Sequence, residues 1–160
     1  MNAMTTGTPI LDRIDRRLLG LLQENNRRPL RDLADELEIS APTCLRRMRR
    51  LQDQGVIAGH VALLDPGRVG FGVTAYAEVS LVDSSGVELR AFERRMQRCP
   101  EVLQCSEISG EVDYLLTVVA RDLAAFGDFT RRQLADDRRV RAYRSLLVMR
   151  QTKKEHRLPV

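Results

Sequence analysis

Apolar positions in the first third of the chain recur with helical spacing. Ile14, Leu18, Leu21 and Leu22 fall at i, i+4, i+7 and i+8, the single stripe of an amphipathic helix over 12–23. Asp12 is placed to cap it, and Asn25-Asn26 to stop it, because Asn tolerates the left-handed conformation in which helices often end. A shorter segment over 30–37 puts Leu30, Leu33, Ala34 and Leu37 on one face. Ser40 then caps a third segment in which Leu45, Met48 and Leu51 recur every three residues and are expected to face the core, with Gln54-Gly55 as the stop. Three short helices, the last two separated by a brief turn, predict a helix-turn-helix.

Beyond Gly55 the period changes. Residues 56–64 read as a short strand or ribbon, broken at Asp65-Pro66-Gly67. Val73, Ala75, Ala77, Val79 and Leu81 alternate, the two-residue period of a strand over 73–82. Helical spacing returns over 87–99 with Leu89, Phe92, Met96 and Cys99. Strands over 102–109 and 112–121 follow, joined like a hairpin at Ser109-Gly110-Glu111. A helix over 122–135 turns Leu123, Phe126, Thr130 and Leu134 inward, and a last strand spans 140–150. Strand, helix, strand, strand, helix, strand is the ferredoxin-like βαββαβ order. The fold class is therefore α+β, an N-terminal three-helix helix-turn-helix domain followed by this C-terminal module. The boundaries are a flexible start at 1–10, the helical domain at 11–56, a strand linker at 57–72 and the second domain at 73–160. Both parities of residues 146–149 and 114–120 are apolar, so both sheet faces want cover and at least a dimer through the sheet is expected.

Composition sharpens this picture only in places. The 26 cationic residues exceed the 22 acidic ones, a mild excess, but Lys153 and Lys154 are the sole lysines and the rest are arginines. The planar guanidinium suits phosphate and base edges, although a high-GC coding bias would produce the same excess. The longest stretches without a charged residue, 1–11 and 54–64, are well short of the roughly 18 residues of a membrane span. No secretory pattern opens the chain, so the cytoplasm is the expected compartment and no membrane partner is expected. Cys44, Cys99 and Cys105 make an odd count without a C-x-x-C pair, which supports neither a disulfide framework nor a zinc site.

Candidate chemistry concentrates in two places. In 40–51 the residues Ser40, Ala41, Pro42, Thr43, Arg46 and Arg47 are placed to enter a major groove, while Arg49, Arg50, Arg27, Arg28 and Arg31 suit phosphates. A solvated cationic helix is the competing reading. In 109–114, Gly110 between two strands lets a ligand approach backbone N–H groups, Glu111 and Asp113 could meet an ammonium group, and Tyr114 could supply a wall. A plain hairpin with solvated acids competes. No metal or cofactor is expected: His60 and His156 lack companion ligands, and no nucleophile elbow, phosphate loop or dinucleotide glycine pattern occurs. The acidic residues read as solvated helix surface, and no acid, base and nucleophile converge, so an enzyme is not expected.

With these residues in hand, the chain resembles the leucine-responsive regulator and asparagine-synthetase regulator family (Lrp/AsnC, the feast/famine regulators). The likeness rests on L-D-R-I-D at 11–15, L-A-D-E-L at 33–37, I-S-A-P-T-C-L-R-R-M-R-R-L at 39–51, Q-G-V-I-A-G-H at 54–60 and S-G-E-V-D-Y-L-L at 109–116. It implies a transcriptional regulator with an N-terminal DNA-binding domain and a C-terminal ACT-like module that dimerises and assembles further, commonly to octamers. It also implies an amino-acid effector bound between dimers near Ser109, Gly110, Glu111, Val112, Asp113 and Tyr114, with Leu147 and Met149 as apolar neighbours. Two departures stand out: Val112 occupies a position that is usually aromatic in the family, and Pro29 one where a capping Ser is common.

The partners expected on this reading are double-stranded DNA with pseudo-palindromic half-sites, an amino acid and further copies of the chain. The alternative is a DNA-independent module that senses small molecules, which would not need the arginines at 46–50. RNA binding through the sheet is a further class, but the middle strands offer only Tyr76 and Tyr114 for base stacking.

Overall fold

The stripe from Ile14 to Leu22 forms α1 (Arg13–Glu24), followed by α2 (Leu30–Glu36) and α3 (Ala41–Asp53). The structure, a computed structural model, describes residues 9–83 and 85–160; most of the expected flexible start at 1–10 lies outside the described residues. Residues 9–62 and 153–160 form one compact unit, residues 63–152 another.

In the first unit Asp12 caps α1 reciprocally. Its carboxylate accepts from the Asp15 N–H at 2.8 Å, and the Asp15 carboxylate accepts from the Asp12 N–H at 3.2 Å. At the other end Asn25 is extended (φ −154°, ψ 101°) and not left-handed as expected. The left-handed positions lie elsewhere, at Glu38 (φ 56°) and Gly55 (φ 70°). Each closes its helix in the same way: Ile39 N–H reaches Ala34 O at 3.0 Å, and Val56 N–H reaches Leu51 O at 2.9 Å. Pro29 offers α2 no side-chain cap, as its missing acceptor dictates.

The first core gathers Leu18, Leu19, Leu22, Leu33, Ala34, Leu37, Cys44 and Leu51, with Ala41 and Met48 against it. The buried line of α3 is thus Ala41, Cys44, Met48 and Leu51. Leu45 is not part of this core, because a 3.6-residue period starting from Leu51 passes through Cys44. The tail also belongs to this unit: Gln23 donates to Leu158 O at 3.1 Å and accepts from its N–H at 2.6 Å.

Residues 56–64 form no strand, and Val61, Leu63 and Leu64 stand exposed. A strand exists only against a hydrogen-bonding neighbour, and none of the described residues supplies one here.

The second unit holds β1 (Val73–Leu81), α4 (Gly86–Met96), β2 (Val102–Glu107), β3 (Tyr114–Ala120), α5 (Leu123–Thr130) and β4 (Val140–Leu147). All pairs in its sheet are antiparallel, in the order β2-β3-β1-β4. Ala75, Ala77 and Val79 on β1 and Tyr114, Leu116 and Val118 on β3 meet Phe92, Met96, Phe126 and Phe129 in one core. The helices therefore cover one face. Leu123, expected inward, opens α5 and is exposed, so its stripe is buried only from Phe126 onward. The helix ends in a π-helical turn, Arg131–Ala135.

The uncovered face is mixed, not wholly apolar. Tyr76, Leu115 and Leu146 share it with Thr74, Thr117 and a Glu78–Arg144 ion pair at 2.7 Å. Two acids also depart from the expected solvated surface: Asp15 and Asp137 are buried and paired, Asp137 with Arg95 at 2.5 Å.

Candidate nucleic-acid interface and effector loop

Helix α3 starts where Ser40 Oγ accepts from the Thr43 N–H at 3.4 Å, with Pro42 in the first turn, where a missing N–H is harmless. Burying Ala41, Cys44, Met48 and Leu51 turns Pro42, Arg46 and Arg49 to solvent. Leu45 lines an open cleft of about 530 Å3 with Pro42, Arg46, Arg49, Arg50, Asp53 and Gln54. Thr43 is half-buried and shares a 2.9 Å contact with Ser40 through its hydroxyl.

The arginines of α3 are not equivalent. Arg47 donates to Asp12 at 2.6 Å and to Asp15 at 2.8 Å, and Arg50 also donates to Asp15. The Asp15 side chain is 1% exposed, that of Arg47 20% and that of Arg50 43%. The Asp15 N–H, then Arg47, hold the Asp12 carboxyl below the usual carboxylate range, and the same pairing raises the Arg47 guanidinium above its own. Arg46 and Arg49 form no ion pair among the described residues. Arg28 pairs with Glu36, whereas Arg27 and Arg31 are exposed and without an ion pair among the described residues. Composition could not separate these cases. The signal for the Asp12 and Asp15 contribution was present as D-x-x-D at a helix start, but capping alone accounts for that spacing.

In the second unit, Ile108 N–H donates to Asp113 O at 3.0 Å and closes the loop between β2 and β3. Asp113 fastens this loop to the end of β1: its N–H donates to Val79 O at 3.0 Å, and its carboxylate accepts from the Leu81 N–H at 2.7 Å. Ser109, Gly110 and Glu111 are exposed and Val112 is half-buried. The N–H groups of these four residues make no hydrogen bond among the described residues.

Tyr114 points into the core, 1% exposed, with its ring 4.8 Å from that of Phe92 and its hydroxyl donating to Glu93 at 3.1 Å. The expected wall of the loop is thus a core residue. Leu147 and Met149 are not brought to the loop either. Leu147 pairs with Ala75, while the loop adjoins Val79 and Leu81, about 13 Å further along the strand. Within one chain the apolar neighbours expected from the last strand are absent from this end of the sheet.

Residues 11–58 match the family model described as winged helix-turn-helix DNA-binding, and residues 74–158 the one described as Lrp/AsnC ligand binding domain. A leucine-responsive regulatory protein of Rhizobium meliloti (strain 1021) is 41% identical over 89% of this chain and 92% of its own length. The DNA-binding transcriptional activator DecR of Escherichia coli (strain K12) is 34% identical over 94% and 99%. Among solved structures, an AsnC family transcriptional regulator from Agrobacterium tumefaciens superposes with a TM-score of 0.87 at 37% identity, covering 93% of this chain and 97% of that one. A transcriptional regulator from Neisseria meningitidis, solved as an L-Met complex, gives 0.88 at 33% identity, covering 94% and 97%.

Proposed function

Because the chain belongs to the Lrp/AsnC family of transcriptional regulators, we propose that it reads a pseudo-palindromic operator through α3 and responds to an amino acid bound at the 108–113 loop. The observation that carries the DNA reading is the outward row of α3: Pro42, Arg46 and Arg49 face solvent from a helix whose other side is locked into a three-helix core. On a helix-turn-helix this row enters the major groove. Ser40, Pro42, Thr43 and Arg46 read base edges or the adjacent backbone, Arg49, Arg27 and Arg31 hold phosphates, Ala41 seats the start of α3 on the core, and Arg47 and Arg50 keep the helix in place.

The N–H groups of Ser109, Gly110, Glu111 and Val112, which make no hydrogen bond among the described residues, favour a carboxylate ligand at the loop. The leucine-responsive relative and the L-Met complex favour an amino acid. Asp113 acts by holding the loop to β1, and Leu147 and Met149 reach the ligand only from another copy of the chain. The effector site is therefore shared between copies, in a homodimer assembling toward an octamer. An effector bound there shifts DNA occupancy by its different affinity for two assembly states. The described residues contain no helix long and apolar enough to cross a membrane, and we place the protein with its DNA in the cytoplasm. The matched relatives are transcriptional regulators, and the function proposed involves no catalysis.

Fluorescence anisotropy tests this on DNA upstream of the protein's own gene and on a scrambled fragment, at two salt concentrations, with and without an amino-acid pool. The expected result is preference for the upstream fragment, weakened by salt and shifted by the pool. Arg46→Ala should cost about 1–3 kcal/mol of specific binding. Absence of binding to either fragment by folded protein would transfer the reading to a DNA-independent amino-acid sensor.

A further inference from the structure

In the first unit a buried anion grips the helix proposed to meet DNA. Asp15 Oδ1 accepts from Arg47 at 2.8 Å, and Oδ2 accepts from Arg50 and from the Asp12 N–H at 3.2 Å. Asp12 completes the set, its Oδ1 on the Asp15 N–H at 2.8 Å and its Oδ2 on Arg47 at 2.6 Å. Two carboxylates at the start of α1 thus neutralise two of the four arginines in 46–50.

A free cation on this surface would meet phosphate. Phosphate contacts carry no sequence information, and each adds to affinity for every DNA equally. A surface with all four guanidinium groups free would bind DNA more tightly and choose less well. Holding two of them costs total affinity and leaves the choice of sequence to the outward groups proposed for base edges, Pro42 and Arg46. The clamp also fixes how α3 projects, because Arg47 and Arg50 occupy successive turns of the helix and are drawn to one buried point on α1.

We infer that Asp15, with Asp12, is a specificity-determining positioning residue that withholds Arg47 and Arg50 from the DNA backbone, an inference that rests on the DNA-binding reading above. Asp15 would be essential to sequence choice although it is acidic and buried.

The test is the salt dependence of binding by the full chain, on the upstream and scrambled fragments. For the Asp15→Asn variant, Arg50 loses its carboxylate while Arg47 keeps Asp12, so the slope of log K against log salt should steepen by about 1. At low salt the scrambled fragment should be bound more tightly, and the ratio of specific to non-specific affinity should fall. Adding Arg47→Met and Arg50→Met to that variant should return the slope to its original value. A merely structural role would weaken both fragments together without steepening the slope.

If circular dichroism shows that Asp15→Asn does not fold, Asp12→Ser takes its place. It keeps a capping oxygen and leaves Arg47 on Asp15 alone, so it should steepen the slope by less than the release of one arginine, that is by less than about 1. An unchanged or shallower slope in a folded variant, while the unaltered chain binds its operator, overturns the inference alone. Failure of the unaltered chain to bind either fragment overturns the DNA reading and this inference with it.

Discussion

Arg46 and Arg47 are neighbours of the same type, yet one faces solvent and the other is held by two carboxylates from a helix 32 to 35 residues earlier in the chain. The buried stripe of α3 turns Arg46 away and leaves Arg47 beside the core, and what α1 places opposite then decides what Arg47 meets. Tyr114 teaches the same point in the second unit. As a letter between two strands it could line a ligand or fill a core, and the alternation with Leu116 and Val118 sends it inward, against Phe92 and Glu93. Burial, aided by Glu93, pushes its hydroxyl well above the usual tyrosine range, and burial pushes the nearby Cys105 thiol up to about 11. Both groups are held neutral by folding, so their contribution to stability is complete below their unfolded pKa values and is lost as pH rises through the folded ones. Thermal melts from pH 8 to 11 should therefore show stability falling above about pH 9, and continuing to fall beyond about pH 10 as Tyr114 is drawn in. Tyr114→Phe should flatten the second part of that fall. An identical profile for the variant would remove Tyr114 as its cause.

For the elements, what could be read in advance depended on how local their causes are. The capped starts at Asp12 and Ser40 and the stop at Gly55 depend on residues within one helical turn, and each is found where its chemistry places it. Buried faces were harder. Leu45 looks more like a core residue than Cys44, but the direction of α3 is set by Leu51 and by its contacts with α1 and α2, and these bury the cysteine. Residues 56–64 have a strand-like composition and no strand, since pairing is a property of two segments. The junction at Gly72 is equally non-local. Its N–H donates to Arg121 O at 3.1 Å, and a Cβ there would sit 2.9 Å from that same carbonyl. Gly72→Ala should therefore destabilise the second unit by about 1–3 kcal/mol, measured as a lower midpoint in urea. An unchanged midpoint would mean that the β1–β3 end yields without cost.

At the scale of the whole molecule, the four-stranded sheet has open edges among the described residues. Strand β4 lies at its edge, and Tyr143, Leu146 and Leu147 on it are each 40% exposed or more. An apolar strand with one free edge invites a second copy. Leu146→Arg should therefore lower the mass measured by light scattering while leaving the helical signal intact. The same mass for variant and unaltered chain would place the contact elsewhere. The order of secondary structure, the capped and basic recognition helix and the glycine loop at 109–111 were legible along the chain, because each arises from spacing within a few residues. The restraint of Arg47 and Arg50 by Asp15, the inward turn of Tyr114, and the separation of Leu147 from the loop emerged only on folding. They depend on register and packing between segments tens of residues apart, and no local pattern encodes which partner a side chain will meet.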